Sequence, residues 1–151
     1  MQKELVTHSP EETEAFGAEV AVYLTETPSA PRFIALYGDL GVGKTAFVRG
    51  LASVIAPGSA VRSPTFAIVN EYKNGKTSLF HFDMYRIEDE DELYSIGFYD
   101  YLDRGFCVTE WSENIDYALP ESYLKIEISK TSPDRPDERK LSSSLVRKEN
   151  L

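Results

Sequence analysis

The sequence predicts a single α/β domain in which a mixed parallel and antiparallel central sheet is flanked by helices. Residues 32–37 form a short apolar run that leads through a glycine-rich segment into a helical pattern, an order typical of α/β domains. An Asn-Gly pair at residues 74–75 separates two further apolar runs and predicts an antiparallel hairpin. The chain has 151 residues, 42% of them hydrophobic, which suffices for one core of ordinary size.

The first predicted element is a helix that begins after Ser9. Ser9 occupies the N-cap position, Pro10 the first helical position, and Glu12 closes a capping box. Four apolar residues follow at helical spacing and predict a buried face: Phe16, Val20, Tyr23 and Leu24. We expect this helix to end before the prolines that follow and to pack against the sheet.

The next unit is a strand, a loop and a helix. The strand is predicted over residues 32–37, because this run is apolar and is bounded by Pro31 and Gly38. After the loop, five apolar residues make a helical stripe: Phe47, Val48, Leu51, Ala52 and Ile55. Pro57-Gly58 predicts the end of this helix.

A hairpin and a short helix are predicted next. Residues 66–73 and 76–82 are expected to pair antiparallel around the Asn-Gly turn. Acidic residues 89–92 then favour the start of a helix, because negative charge is stabilising at its positive end. Gly97 predicts where that helix stops.

Two further strands are predicted over residues 105–111 and 123–128. We therefore place the folded domain at residues 1–130. Residues 131–151 are mostly polar, and we expect them to be a tail that is either frayed or carries a weak last strand near residues 140–146. The composition favours the frayed alternative.

Charge and composition argue against several function classes. The net charge of −9 repels phosphate backbones, so tight binding of nucleic acid by this chain alone is disfavoured. No apolar segment approaches the roughly 20 residues that cross a bilayer, and the first residues lack the apolar core of a secretory signal. The single cysteine, Cys107, is expected to be a small buried hydrophobe, and no Cys/His spacing suggests zinc. We expect a cytoplasmic protein.

The glycine-rich loop, residues 38–45, reads GDLGVGKT and has the pattern of a P-loop. Its glycines let backbone amides point at phosphate oxygens, and the following helix adds its positive N-terminal end. Lys44 supplies a charge for the β- and γ-phosphates, and the Thr45 hydroxyl can bind Mg²⁺. The sequence therefore predicts a nucleoside triphosphatase. The rest of the phosphate cradle is Gly38, Asp39, Leu40, Gly41, Val42 and Gly43.

A magnesium-bound triphosphate also requires a carboxylate at a strand end. Alternation along the second hairpin strand places Asp83 at the end of an apolar-backed strand. Glu110 similarly follows the buried-type run at residues 106–109. Either could be a plain surface carboxylate, but we favour a functional role for both. Arg86 could contact phosphate or an acidic group of a partner, but we favour an exposed salt bridge.

Three other residues allow two interpretations each. Thr65 lies in the loop after the P-loop helix, where a hydroxyl can sense the γ-phosphate, or it belongs to a turn in which Pro64 forces Ser63 to be extended. Trp111, the only tryptophan, is interpreted first as a core anchor but could lie beside a nucleotide or a partner. His81 is interpreted as a hydrogen-bonded strand residue rather than a base.

Four ordered segments, GDLGVGKT, SPTF, HFDMYR and EW, together resemble the TsaE family, the YjeE-type bacterial ATPases. The resemblance covers about residues 11–128, with Met84 in place of the more usual leucine, and later only Glu138-Arg139 resembles the family's last segment. It implies a weak, partner-stimulated, Mg²⁺-dependent ATPase that supports threonylcarbamoyladenosine modification of tRNA. The implied partners are TsaB- and TsaD-type proteins, which ATP turnover would reset between rounds, and tRNA is reached through that complex.

The resemblance also implies residue roles. Lys44-Thr45 would hold phosphate and Mg²⁺, and Thr65 would be a catalytic switch hydroxyl. Asp83 would be a magnesium-side carboxylate, and Glu110 a catalytic or metal-linked acid. Trp111 would lie near the nucleotide.

Two other function classes remain open. A small-molecule or nucleotide kinase shares the P-loop and could line an acceptor pocket with His81, Asp83 and Arg86, although no substantial lid segment is apparent. A non-enzymatic, ATP-gated interaction module fits the small size of the chain. A GTPase is disfavoured, because the sequence has neither an Asn-Lys-x-Asp string nor a convincing Asp-x-x-Gly after a strand. We therefore expect ATP to be the nucleotide.

Overall fold

The computed structural model describes residues 1–39, 41–62, 64, 68–75 and 77–148. Helices and strands alternate through most of these residues. In chain order the elements are β1 (Lys3–Thr7), α1 (Pro10–Glu26), β2 (Phe33–Tyr37), α2 (Lys44–Ile55), β3 (Val69–Asn74), β4 (Thr77–Asp83), α3 (Glu90–Ser95), α4 (Phe98–Tyr101), β5 (Phe106–Glu110), a 3-10 helix (Ser112–Ala118), β6 (Ser122–Lys130) and β7 (Arg139–Arg147). Among the residues described, no helix combines the length and apolar character needed to cross a membrane.

The strands form one mixed sheet in the order β1-β7-β6-β2-β5-β4-β3. Strand β2 is parallel to its neighbours β5 and β6, and β4 is parallel to β5. The outer pairs β3–β4, β6–β7 and β1–β7 are antiparallel. The predicted α/β fold with a mixed sheet is therefore confirmed. Because β2, β4, β5 and β6 run in the same direction, their carboxyl ends meet at one edge of the sheet.

Two apolar layers hold helices against the faces of the sheet. On one face, α1 and α2 pack through residues such as Phe16 and Phe47, whose ring centroids lie 5.9 Å apart. On the other face, α4 and the 3-10 helix cover Phe82 and Met84. The alternation predicted for β4 is confirmed, since Leu79 belongs to the first layer and Phe82 to the second.

The predicted N-terminal helix is confirmed with a small change in its cap. The Ser9 hydroxyl accepts a hydrogen bond from the amide of Glu12 at 3.1 Å. The Glu12 carboxylate accepts from the amide of His8 at 3.4 Å, one residue before the position that a capping box predicts. The short acidic helix is also confirmed as α3, where the Asp89 side chain caps the amide of Glu92.

The expectation of a frayed tail after residue 130 is wrong. Residues 139–147 form β7, which lies inside the sheet between β1 and β6. Its inward side chains include Leu141 and Ser143, both buried. This strand was difficult to predict because it contains three consecutive serines, residues 142–144, whose small hydroxyl side chains weaken the apolar pattern. Its stability comes from pairing with a strand on each edge. The alternative of a last strand near residues 140–146 is correct.

Sequence patterns also missed or displaced other elements. Strand β1 was not predicted, because only two of its five residues are apolar and most of the strand is exposed, so its pairing with β7 leaves little sign in the sequence. The hairpin exists, but its closing pair is Asn74 with Thr77, one residue later than predicted. Helix α4 and the 3-10 helix were not predicted either, and both are too short for a clear helical period.

Candidate functional site

Three of the predicted site segments meet at the carboxyl edge of the sheet. The glycine-rich loop follows β2, Asp83 is the last residue of β4, and Glu110 is the last residue of β5. Asp83 and Glu110 are register partners in the parallel ladder. Ligands of open α/β sheets bind at this edge, outside the carboxyl ends of the strands. The topology therefore brings together residues that lie far apart in the sequence.

The backbone of the glycine-rich loop has a positive φ at three glycines, Gly38, Gly41 and Gly43. Gly38 has a φ of 154°, and an added Cβ there would lie 2.6 Å from the carbonyl oxygen of Ile128. Gly43 is in the left-handed region, with a φ of 107°, and is the N-cap of α2. No side chain caps α2 at Gly43, so the first amides of this helix remain free for a ligand. Leu40 lies outside the residues described.

Lys44 lies buried at the mouth of the loop, with 5% of its surface exposed. Its Nζ donates a hydrogen bond to the carbonyl oxygen of Gly38 at 2.8 Å and lies 3.7 Å from Glu110 Oε1. The same atom is 4.8 Å from the centroid of the Trp111 ring. This ammonium group is thus held in place by a carbonyl, a carboxylate and an aromatic face. A phosphate oxygen can compete for each of these contacts.

Glu110 is also buried, with 6% of its surface exposed, and is held by two neighbours. Its Oε2 lies 2.6 Å from Nε2 of His81, a residue with no exposed surface. His81 Nδ1 has no hydrogen-bond partner among the residues described. The predicted hydrogen-bonded role of His81 is confirmed. The identity of its partner, 29 residues further along the chain, was not predicted.

Asp83 lies at the rim of the site and is half-buried. Its Oδ1 accepts a hydrogen bond from the amide of Tyr85 at 3.0 Å. Desolvation raises the pKa of Asp83 above its ordinary value, and the negative charge of Glu110 adds to the rise, while the Tyr85 amide and Lys44 oppose it. A carboxylate in this position is stabilised by any cation that binds beside it.

The described residues contain no cluster of three or more His, Cys, Asp or Glu side chains that could hold a metal ion. Mg²⁺ needs no such cluster, because it commonly takes one or two protein oxygens and completes its shell with phosphate and water. Asp83 at the end of β4 and Thr45 in the first turn of α2 suit that pattern. Thr65, the predicted switch hydroxyl, lies outside the residues described, so its role stays a prediction.

Trp111 is half-buried and packs against the second apolar layer. The sequence favours a core anchor at this position, but the ring also faces Lys44 and contacts the Tyr85 ring in a tilted arrangement, with a centroid distance of 5.1 Å. Its φ of 56° is in the left-handed region, which is unusual for a large side chain. Local backbone strain of this kind is common at functional sites. Trp111 therefore bridges the core and the site.

Two other sequence interpretations have clear outcomes. Cys107 is buried as predicted, and burial raises the pKa of its thiol to about 12. Arg86 is exposed, and the predicted salt bridge is not formed among the residues that the structure describes, because none of their ion pairs includes Arg86. Arg86 is also not part of the Lys44–Glu110 contacts.

Arg139 is a site residue whose contacts the sequence did not predict. Its Nε donates to the carbonyl oxygen of Val42 at 2.8 Å, and its Nη2 donates to that of Gly41 at 3.4 Å. Arg139 and Val42 lie 97 positions apart in the sequence, which explains why no local pattern indicated this contact. The only sequence signal was the resemblance of Glu138-Arg139 to the last segment of a known family.

An open cleft of about 480 Å³ lies beside the glycine-rich loop, between the carboxyl ends of β2 and β6. Its wall is formed by Tyr37, Gly38, Asp39, Val42, Glu127, Ile128, Ser129 and Lys130. A cleft next to a phosphate cradle has room for the remainder of a nucleotide.

Comparison with known proteins identifies the family. The family model described as threonylcarbamoyl adenosine biosynthesis protein TsaE matches residues 7–141. A tRNA threonylcarbamoyladenosine biosynthesis protein TsaE from Bacillus subtilis (strain 168) is 37% identical over 141 residues, which cover 93% of this chain and 84% of the relative. The TsaE protein of Aquifex aeolicus (strain VF5) is 41% identical over 113 residues, which cover 74% of this chain and 77% of the relative.

A solved structure agrees with these relatives. The crystal structure of YdiB from Bacillus subtilis matches with a TM-score of 0.71 at 31% identity, and the match covers 97% of this chain and 88% of that one. Fold, sequence and family model therefore point to the same group of proteins. The chain belongs to the TsaE family of tRNA threonylcarbamoyladenosine biosynthesis proteins.

Proposed function

We propose that this chain binds ATP with Mg²⁺ and hydrolyses it weakly, as a subunit that supports TsaB- and TsaD-type proteins in tRNA threonylcarbamoyladenosine biosynthesis. The observation that carries this proposal is the position of Lys44 Nζ. It lies 3.7 Å from Glu110 at the mouth of a glycine-rich loop. A cation and a carboxylate buried together at an uncapped helix N-terminus form a site that pairs phosphate binding with a reactive acid.

ATP binding would use groups that are already in position. The amides at the start of α2 donate to no side-chain cap, so they would donate to the phosphates. Lys44 would exchange its contact with Gly38 for one with a phosphate oxygen. The cleft beside Gly38 and Ser129 would take the nucleoside. Asp83 and Thr45 would hold Mg²⁺, which neutralises charge on the phosphates.

Hydrolysis would depend on Glu110. Its Oε2 is fixed by His81 and its Oε1 faces Lys44, so the carboxylate is held in one orientation. A carboxylate in this place can orient a water molecule and accept a proton from it. Lys44 remains beside the phosphate as charge develops on its oxygens. In the absence of a partner we expect slow turnover, because the rim of the site is open to water. Tyr85 at this rim is exposed and Asp83 is half-buried, whereas closed active sites exclude water.

The partner role is supported by charge and exposure. The net charge of −9 disfavours direct contact with tRNA, so tRNA would be reached through the partners. Three tyrosines are unusually exposed for aromatic residues, and exposed tyrosines are common in protein interfaces: Tyr85 at 59%, Tyr94 at 65% and Tyr117 at 51%. Tyr85 also contacts Trp111, so a partner on this surface can reach the site. ATP turnover would then reset the assembly between rounds.

Nucleotide binding can be measured through Trp111, since it is the only tryptophan and lies beside Lys44. We expect ATP and ADP with Mg²⁺ to change its fluorescence in a saturable way. Lys44→Ala should abolish the change or weaken the affinity by about a hundredfold, because it removes the only ammonium group of the loop. Lys3→Ala is the matched control, as Lys3 pairs with Glu19 on α1. Equal affinities of the Lys44 variant and the wild type would reject the proposed site.

Turnover should be measured with three additions: none, TsaB- and TsaD-type proteins, and small phosphoryl acceptors. We expect phosphate release that rises with the partner proteins, and Glu110→Gln should remove most of it while retaining ATP binding. Transfer of phosphate to a small acceptor would instead identify a kinase. ATP binding without turnover under every condition would identify a nucleotide-gated interaction module.

A further inference from the structure

Arg139 occupies a position that the sheet holds rigidly. It is the first residue of β7 and pairs with Thr7 of β1 on one side and with Lys130 of β6 on the other. From this position its guanidinium group reaches across to the glycine-rich loop and donates to the carbonyl oxygens of Val42 and Gly41. The remaining nitrogen, Nη1, donates to the carbonyl oxygens of Pro136 and Glu138 at 2.7 and 2.9 Å.

The contacts with the loop determine where its amides point. In a planar trans peptide the carbonyl and the following amide point in opposite directions. By holding the Val42 and Gly41 carbonyls, Arg139 turns the amides of Gly43 and Val42 away from itself. Neither amide donates a hydrogen bond among the residues described, so both are free for a ligand on the far side of the loop.

The shape of the arginine side chain suits this task. Its planar fork can hold two carbonyl groups of one loop at once, which a lysine ammonium on a flexible stem cannot do as rigidly. Its charge is also left without an anionic partner, because none of the ion pairs of the described residues includes Arg139. The adjacent Glu138 carboxylate instead accepts from Thr131 at 2.7 Å and pairs with Arg135 and His8.

We propose that Arg139 is a positioning residue for nucleotide binding: its guanidinium holds the carbonyls of the glycine-rich loop so that the loop amides face the phosphates before nucleotide arrives. This inference rests on the proposed ATP-binding function. Four of the five N–H groups of Arg139 are directed at backbone carbonyls, so its proposed role is to hold the loop and not to bind the phosphates. Its effect is on the affinity for any nucleotide that carries the shared phosphates.

The test compares Arg139→Ala and Arg139→Lys with two matched controls. Arg135→Ala changes an exposed arginine of the preceding turn, and Arg147→Ala changes one at the other end of the same strand. Affinities for ADP and ATP with Mg²⁺ are measured by calorimetry, and kcat is measured at saturating ATP. The backbone order parameters of Val42 and Gly43 are measured by NMR relaxation without nucleotide. Thermal unfolding shows whether each variant is folded, and Arg139→Lys keeps the test valid if the alanine variant is not.

We expect Arg139→Ala to weaken ADP and ATP binding by the same factor, about tenfold or more, with kcat nearly unchanged. Arg139→Lys should fall between this variant and the wild type, and the order parameters of Val42 and Gly43 should be lower in both variants than in the wild type. The proposal is overturned if affinities and order parameters match those of the controls, or if kcat or ATP affinity falls while ADP affinity stays. If the wild type binds no nucleotide, the proposed function fails, and the order parameters alone decide whether Arg139 orders the loop.

Discussion

At the scale of single residues, the site is built from charges that water does not reach easily. Lys44 and Glu110 are both buried, and each is held by more than one neighbour. Burying a charge is unfavourable unless it is paired and hydrogen-bonded, so Glu110 depends on Lys44 and His81 together. Removing either partner leaves the buried Glu110 carboxylate with one of these two contacts instead of both. Such an arrangement is expected where chemistry requires a carboxylate in one fixed orientation.

Asp83 gives a prediction about stability and pH. Because its pKa in the folded chain is raised, folding disfavours its ionised form, and this cost appears as pH rises above the ordinary value of 3.8. Asp83→Asn removes that cost, so the variant should be more stable than the wild type near pH 7. The two should become equal below pH 3.8, where Asp83 is protonated in both states.

Urea unfolding between pH 3 and pH 7 measures this difference. Asp103→Asn is the control, as Asp103 is exposed and lies away from the site. A stability gain for the Asp83 variant that is the same at every pH would contradict the explanation by ionisation. A gain that grows with pH would support it.

At the scale of elements, α1 and α2 meet backbone to backbone. Gly17 of α1 and Gly50 of α2 lie in this contact, and a Cβ added at Gly50 would collide with the backbone oxygen of Glu14. Because α2 begins at Lys44, the contact also sets the position of the glycine-rich loop. This close approach depends on the missing side chains and has no signature in helical periodicity.

Gly50→Ala should therefore destabilise the fold, even though alanine is the better helix former. We expect the free energy of unfolding to fall by about 2 kcal/mol, because the new methyl group must push two helices apart. Urea unfolding checks this, with Arg49→Ala as the control on the exposed face of the same helix. Unchanged or increased stability of the Gly50 variant would show that the helices can separate without cost.

At the scale of the whole molecule, the last strand belongs to the body of the sheet. Strand β7 pairs with β6 along nine residues and carries β1 on its other edge. It also brings Arg139 to the glycine-rich loop. The C-terminal strand therefore holds β1 in the sheet and also contacts the glycine-rich loop.

Truncation tests this role. A chain ending after Lys130 should lose cooperative thermal unfolding, because β1 loses β7, the one strand it pairs with in the described part of the sheet, and Leu141 no longer covers the core. A chain ending after Lys148 keeps all of β7 and should unfold like the full chain. Retention of a cooperative transition and of nucleotide binding by the shorter chain would contradict the structural role of β7.

Local sequence patterns were sufficient to predict the features that depend on a few neighbouring residues. Turn chemistry, capping and side-chain period act over a few residues, so features of this kind were predicted. They are the strand–loop–helix unit around residues 38–45, the Ser9 cap, the hairpin and the two faces of β4. Asp83 and Glu110 were correctly placed at strand ends for the same reason.

Contacts between residues far apart in the sequence became visible only in the folded chain. The contact of His81 with Glu110 depends on the register of β4 against β5, and the contact of Arg139 with Val42 depends on β7 lying beside β6. The position of β1 depends likewise on β7. Strand order and register arise from packing across the whole sheet, so residues 29 or 97 positions apart carry no local sign that they will touch.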